Sequence, residues 1–260
     1  MTIGRLVAMT HEIVVHVWSD IACPWCWIGK QRLEQGIKDS GKQVAVEYHS
    51  YQLYPEASSS APGTYIESLA TMKRSEEGAI REMVNNASEV GATEGLTMNW
   101  EKAQHVNTFQ AHQFVYAAKA HGNTPEEAAE LGAKAFERLY LAHFTDGVNV
   151  ADTDTLLEIA EEMGLDVEQV ESELESGEHA NAVRGDIRDA RSLGIQGVPF
   201  FVVGGKFGIS GAQPPDVFAD TIARAVEEIK YEDAQEVPVE APEMGDHPDA
   251  GMDMPEEPRA

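Results

Sequence analysis

The chain has few cysteines, few basic residues and no long apolar run. Its 260 residues include two cysteines, Cys23 and Cys26. A structural zinc site needs about four ligands, and neither a second cysteine pair nor a short-spaced histidine pair follows the first, which disfavours a resident metal. No run of about 18 apolar residues occurs, so the sequence predicts no membrane-spanning helix. The stretch 1–11 holds one arginine and lacks the apolar core of a signal peptide, so we expect a cytoplasmic protein.

Negative charge dominates the composition. There are 45 acidic against 19 basic residues, a net charge of -26. Residues 231–260 contribute ten acidic residues and one arginine, and the rest of the excess is spread over the chain. Such a surface repels nucleic-acid phosphates and anionic lipid head groups, so we expect neither as a partner. We interpret the excess as halophilic adaptation to molar salt; an acidic mesophilic protein with a solubilising tail is the alternative. Unfolding midpoints that did not rise with KCl would exclude the halophilic interpretation.

The motif Cys23–Cys26, Cys-Pro-Trp-Cys, directly follows an apolar, β-branched stretch at 13–18. A strand that delivers one cysteine to the start of a helix, with a second cysteine one turn on, is typical of a redox dithiol. Cys23 is the expected nucleophile, because unpaired N–H groups at a helix N-terminus favour the thiolate, and Cys26 is the expected resolving thiol. Pro24 suits the first helical turn. A metal half-site and an inert buried pair remain alternatives at this point.

The rest of the chain predicts an α/β unit that is interrupted once. Residues 13–49 have a strand–helix–strand pattern, and from about Tyr65 to Leu193 the patterns are helical. Residues 200–209 then form two short β-rich stretches around the turn Gly204-Gly205, a strong hairpin signal. The predicted fold is therefore α/β with a large all-helical insertion between the second and third strands. A last helix begins at Pro214-Pro215, and from Tyr231 onward we expect disorder.

Pro199 is the second candidate site residue. It follows Gly197-Val198 and begins the third strand, where a proline cannot donate to the ladder. A cis peptide bond is the favoured interpretation, and an edge-strand proline is the alternative. Trp25 lies between the two cysteines, where it could shield the disulfide, contact a substrate, or simply pack against Trp27.

Together these motifs resemble the thioredoxin fold, the DsbA family and, within it, the FrnE-like branch. The resemblance covers roughly residues 12–229 and rests on stretches 19–29, 107–112, 197–201 and 210–213. It implies a discontinuous thioredoxin-like domain at 12–62 and 194–230, a helical insertion domain at 63–193, and an acidic tail at 231–260.

The resemblance also implies an activity and its residues. Disulfide exchange would proceed through Cys23 and Cys26, with a cis Pro199 facing the dithiol. The Val198 backbone would pair with an extended substrate segment. Substrates would be proteins or small molecules that carry thiols or disulfides, glutathione among them, and no cofactor beyond the dithiol is implied.

Three further residues are possible neighbours of the dithiol. The family shares Asn107 and His112, although a single helix histidine is more often a hydrogen-bonded structural residue. His16, in the strand before the motif, is the candidate for a pH-sensitive neighbour.

Two other functions compete with disulfide exchange. The same branch includes hydroxychromene-carboxylate isomerases and kappa-class glutathione transferases, which typically dispense with the second cysteine, so the retained Cys26 argues against them. A holdase without enzymatic activity is the other alternative. A Cys23→Ser variant would keep holdase activity but lose exchange. The sequence indicates no oligomeric state.

Overall fold

The computed structural model describes residues 13–61 and 63–235, with side chains as far as Tyr231. It contains one four-stranded sheet of spatial order β2-β1-β3-β4. The strands are β1 (Ile13–Ser19), β2 (Val44–Ser50), β3 (Phe200–Val203) and β4 (Phe207–Ser210). β1 runs parallel to β2 and antiparallel to β3, which pairs antiparallel with β4.

Helices make up most of the rest of the described chain. They are α1 (Pro24–Ser40), α2 (Tyr65–Lys73), α3 (Glu77–Thr93), α4 (Phe109–Ala120), α5 (Pro125–Tyr140), α6 (Thr153–Glu162), α7 (Val167–Ser176), α8 (Ala180–Ser192) and α9 (Pro215–Gln235). A single π-helical segment, Leu141–Asp146, continues α5. No strand interrupts residues 63–193, all of which are described, so the predicted helical insertion between β2 and β3 is confirmed.

One face of the sheet is covered by α1 and α9. Alternate β1 residues Ile13, Val15 and Val17 are buried there, as a half-buried strand requires. The two helices approach closely at Gly36, where an added Cβ would lie 2.5 Å from the Cβ of Phe218. This packing fixes α1, and therefore its N-terminus, against the sheet.

The insertion shares its core with the sheet. Tyr48 of β2 packs against Phe136 of α5 with ring centroids 5.0 Å apart. The main buried cluster runs from Val15 through Trp27 to Tyr140 without a break. A smaller buried cluster, centred on Tyr65, lies within the insertion. The insertion is thus continuous in sequence, and most of its apolar surface is buried together with that of the sheet.

The expected start of disorder at Tyr231 is wrong for five residues. α9 continues to Gln235, because residues 227–235 are mostly good helix formers that extend the pattern of the helix. The remainder of the predicted acidic tail, 236–260, lies outside the described residues. Within the described chain, no helix is both long and apolar enough to cross a membrane.

Candidate active site

The turn between β1 and α1 positions both cysteines. Cys23 is the N-cap of α1, with an extended backbone, and Pro24 occupies the first helical position. The Cys23 N–H donates to the Asp20 carbonyl at 3.0 Å, and the Cys26 N–H donates to the Cys23 carbonyl at 3.0 Å. Both thiols are free. The first cysteine therefore lies at the helix N-terminus and the second lies one turn further in.

Cys23 is covered by the loop that precedes β3. Cys23 is only 4% exposed. The Cys23 Sγ lies 3.5 Å from the carbonyl oxygen of Val198, to which the thiol donates. The peptide bond between Val198 and Pro199 is cis. The segment before β3 thus meets the first cysteine directly.

Cys26 is buried more completely, at 2% exposure. Burial raises the pKa of its thiol well above the usual value, and the adjacent Cys23 raises it further. Hydrogen bonds from the Ser19 side chain and the Asp20 backbone act in the opposite direction. The Ser19 Oγ also lies 2.6 Å from the hydroxyl of Tyr140. Cys26 is therefore a neutral thiol at neutral pH, and it ends a short chain of buried hydroxyl groups.

The Asp20 carboxylate connects the cysteine turn to two other parts of the fold. It accepts hydrogen bonds from the N–H groups of Ala22 and Leu53, and from the Thr108 hydroxyl at 2.8 Å. The His112 Nε2 lies 3.3 Å away. Complete burial opposes ionisation of Asp20. The hydrogen bond and the charge of His112, together with hydrogen bonds from the Leu53 backbone and the Thr108 hydroxyl, nevertheless hold the pKa of Asp20 below its usual range.

Of the predicted Asn107 and His112, only His112 contacts the Asp20 carboxylate. The Asn107 Oδ1 accepts from the N–H of Phe109 at the start of α4, and its amide donates to the carbonyls of Pro55 and Ala57. Asn107 therefore joins α4 to the loop after β2. His112 is completely buried, and its Nδ1 has no hydrogen-bond partner among the described residues.

His16 contacts a different group of residues. Its Nδ1 lies 2.9 Å from the Nε2 of His49, whose Nδ1 is 3.0 Å from the Asp186 carboxylate of α8. Burial lowers the pKa of His16, and the neighbouring His49 lowers it further. The structure therefore assigns His16 to a polar row between the sheet and α8, where the contacts made by its ring are to His49 and Trp18.

The two tryptophans of the motif have different surroundings. Trp25 is half-buried against the main core. Trp27 is fully buried, donates to the Glu137 carboxylate at 3.0 Å and stacks on Tyr140. The packing of Trp25 on the core is thus compatible with a role beside the disulfide and with a purely structural role.

Sequence reasoning missed three residues around the dithiol, namely Ser19, Asp20 and Tyr140. Ser19 and Asp20 immediately precede the motif, so their position was a usable signal. Tyr140 ends a helix more than a hundred residues later, and no local pattern connects it to Cys26. Groups of three or more residues suited to a metal ion are absent from the described part of the chain.

A free dithiol at the N-terminus of the helix that follows the central strand of a thioredoxin fold defines a class of protein, the thiol–disulfide oxidoreductases. The model of the DSBA-like thioredoxin domain matches residues 14–223, and the chain belongs to that family. It is a DsbA-like thiol–disulfide oxidoreductase.

Solved structures agree with this assignment. A probable DsbA oxidoreductase from Streptomyces coelicolor, SCO1869, is 32% identical, with a TM-score of 0.72 over 83% of this chain and 91% of that one. Two structures share the fold at lower identity. A 2-hydroxychromene-2-carboxylate isomerase is 15% identical with a TM-score of 0.58, over 85% of this chain and 98% of that one. The cytosolic disulfide reductase DsbM from Pseudomonas aeruginosa, solved with GSH, is 18% identical with a TM-score of 0.54, over 85% and 99%.

Proposed function

We propose that this protein exchanges disulfides with protein or small-molecule thiols through Cys23 and Cys26, as a cytoplasmic member of the FrnE-like branch. One observation carries the proposal: Cys23 is the N-cap of α1 with its Sγ 3.5 Å from the Val198 carbonyl oxygen, while Cys26 lies one turn further in and has a raised pKa. The two thiols therefore differ in environment, as a nucleophile and a resolving thiol must.

In the first step the Cys23 thiolate attacks one sulfur of a substrate disulfide. A Cys23–substrate bond forms, the substrate S–S bond breaks, and one substrate thiolate leaves and takes up a proton. Cys23 is suited to this attack by its position, because it caps the N-terminus of α1 and meets the loop before β3, whereas Cys26 lies one turn further in.

In the second step Cys26 loses its proton and attacks the Cys23 sulfur. The Cys23–Cys26 disulfide forms and the second substrate thiol leaves, so the substrate gains two electrons and the protein loses two. The raised pKa of Cys26 keeps it protonated until Cys23 has reacted. In the reverse direction the Cys23–Cys26 disulfide is reduced and a substrate dithiol is oxidised to a disulfide.

Val198 and Pro199 would hold the substrate chain. The Val198 carbonyl already accepts the Cys23 thiol, so a peptide that pairs with this backbone would bring its sulfur to Cys23. Backbone pairing imposes little side-chain preference, which suits exchange with many proteins. Trp25 and Pro24 would shape the rim of the same site.

Glutathione is the small-molecule substrate that we propose. The cytosolic disulfide reductase DsbM, which was solved with GSH, shares the fold, and this likeness supports a glutathione-linked role in the same compartment. A glutathione-dependent isomerase of the hydroxychromene-carboxylate type is the competing function. It would need only one thiol.

A trapping experiment tests the proposal. Cys26→Ser protein is mixed with a reduced, unfolded substrate protein and oxidised glutathione, and adducts are identified by mass spectrometry. We expect stable mixed disulfides on Cys23. The matched Cys23→Ser protein, which keeps Cys26 in its buried position, should form none. An isomerase that used one thiol would lose little activity in Cys26→Ser protein, and that result would favour the competing function.

A further inference from the structure

The face of α8 that carries Arg184, Arg188 and Arg191 borders a pocket. The spacing of four and three residues puts the three guanidinium groups on one side of the helix. The pocket has a volume of about 320 Å³ and is completed by Ile187 of the same helix and by three residues opposite, Gln52, Pro55 and Phe109.

The three arginines are not neutralised within the described chain. Each is exposed, and none forms an ion pair with a carboxylate of the residues that the structure describes. Arg184 lies over the Phe109 ring, 5.1 Å from its centroid. Like charges three and four residues apart on a helix destabilise it, so this arrangement costs the fold free energy. In a chain with 45 acidic residues, three unpaired arginines around one pocket indicate an external anion.

Two other pockets of the described chain contrast with this one. The pocket beside His105 is lined by Glu56 and Glu67, and the pocket beside His16 is lined by Glu47 and Glu126. These pockets repel an acidic ligand. The pocket on α8 combines positive charge with apolar walls formed by Pro55, Phe109 and Ile187.

Both walls of the pocket continue into the elements that contact Cys23. Gln52, in one wall, precedes Leu53, whose N–H donates to Asp20 at 2.7 Å, and the Asp20 carbonyl accepts the Cys23 N–H. The other wall, α8, leads through residues 193–197 to Val198, whose carbonyl meets the Cys23 thiol. The pocket is therefore connected along the chain, on both sides, to segments that contact Cys23 or the turn before it.

We propose that this pocket binds the carboxylates of an acidic disulfide substrate and orients its sulfur toward Cys23. Guanidinium groups pair with carboxylates in a bidentate manner, and the apolar walls accept the carbon chain between them. Two sources supply this chemistry: an acidic thiol peptide such as glutathione, or an acidic segment beside a cysteine of a protein. The proposal rests on the proposed disulfide exchange and adds the class of substrate.

The test compares two variants of equal charge. Arg184→Gln, Arg188→Gln and Arg191→Gln are combined in one protein; Lys38→Gln, Arg81→Gln and Lys134→Gln, exposed cations elsewhere, form the control. The rate constant for reduction of the substrate disulfide is measured for two pairs of substrates. The first pair is oxidised glutathione and the neutral hydroxyethyl disulfide. The second pair is a disulfide peptide with flanking glutamates and the same peptide with glutamines. We expect the acidic-to-neutral rate ratio to fall about tenfold in the α8 variant and to stay unchanged in the control.

The outcomes separate the sources and the two proposals. If the acidic-to-neutral rate ratio of the α8 variant falls with oxidised glutathione, the ligand of the pocket is the small molecule. If the ratio falls only with the peptide pair, the ligand is an acidic segment of a protein. Equal ratios in wild type and both variants would overturn the pocket proposal. If the wild-type protein exchanged no disulfide, the proposed function would fail. The pocket proposal would then be tested by calorimetry, which measures binding of S-methylglutathione and of an acidic peptide with serine in place of cysteine. Binding that weakens in the α8 variant but not in the control variant supports the pocket proposal. Absence of binding, or equal affinity in the wild type and both variants, overturns that proposal.

Discussion

The Asp20 carboxylate and the His112 imidazole lie 3.3 Å apart, and both side chains are completely buried. Asp20 belongs to the turn that precedes Cys23, whereas His112 belongs to α4 of the insertion. Their contact fixes the cysteine turn to the insertion. The position of the dithiol therefore depends on residues separated by about ninety positions in the chain.

Asp20→Asn is expected to destabilise the protein by about 3 kcal/mol or more, because it removes one partner of a buried charged network. An amide also points N–H groups at the donors of Leu53 or Thr108. The free energy of unfolding in urea gives the measurement. Asp220→Asn, an exposed carboxylate on α9, is the control and should change stability by less than about 0.5 kcal/mol. Equal effects of the two substitutions would show that the Asp20 network does not stabilise the fold.

Ser19→Ala is expected to affect both stability and the second chemical step. It leaves the buried Tyr140 hydroxyl without the partner 2.6 Å away, at a cost of about 1–3 kcal/mol. It also removes a hydrogen bond that lowers the pKa of Cys26, so Cys26 would ionise less readily and mixed disulfides on Cys23 would persist longer.

Tyr140→Phe is the matched comparison, because it keeps the Ser19 hydroxyl beside Cys26. Urea unfolding and the lifetime of a glutathione adduct on Cys23 measure the two effects. If the adduct lives as long in Ser19→Ala protein as in wild type, Ser19 has no part in the resolving step.

The fold was predictable because its signals are local. The apolar stretch that became β1, the cysteines at the start of α1 and the glycine turn between β3 and β4 each carry a pattern within a few residues. The side chains of Thr124 and Asp152, which cap the starts of α5 and α6, are local signals of the same kind.

The surroundings of the site were less predictable, because they arise from contacts between distant segments. Nothing in the local sequence indicates that Val198 covers Cys23, that Tyr140 reaches Ser19, or that His16 faces His49 rather than the cysteines. The acidic composition after Tyr231 predicts disorder, whereas α9 continues to Gln235, because glutamate, lysine and alanine also favour helix.

His143 should make stability depend on pH. It is completely buried, neither ring nitrogen has a hydrogen-bond partner among the described residues, and burial lowers its pKa to about 4. The unfolded chain, with an ordinary histidine pKa, takes up a proton below about pH 6.5, while the folded chain does so only near the lowered pKa. The contribution of neutral His143 is therefore complete above this window and is lost as the pH falls through it.

His143→Phe removes this titration. Between pH 7 and pH 5 the wild type should lose about 2 kcal/mol of unfolding free energy relative to the variant. Urea unfolding of both proteins over this range provides the comparison. Parallel stability curves would contradict the assignment.

The redox equilibrium of the Cys23–Cys26 pair tests the central claim most directly. Purified protein is equilibrated in a series of glutathione buffers, with fluorescence of the motif tryptophans and mass spectrometry as readouts. The account predicts one reversible two-electron transition to an intramolecular disulfide, and its midpoint relative to the cellular glutathione poise assigns the direction of exchange. Oxidation that stopped at a glutathione adduct on Cys23, with Cys26 still free, would contradict the account.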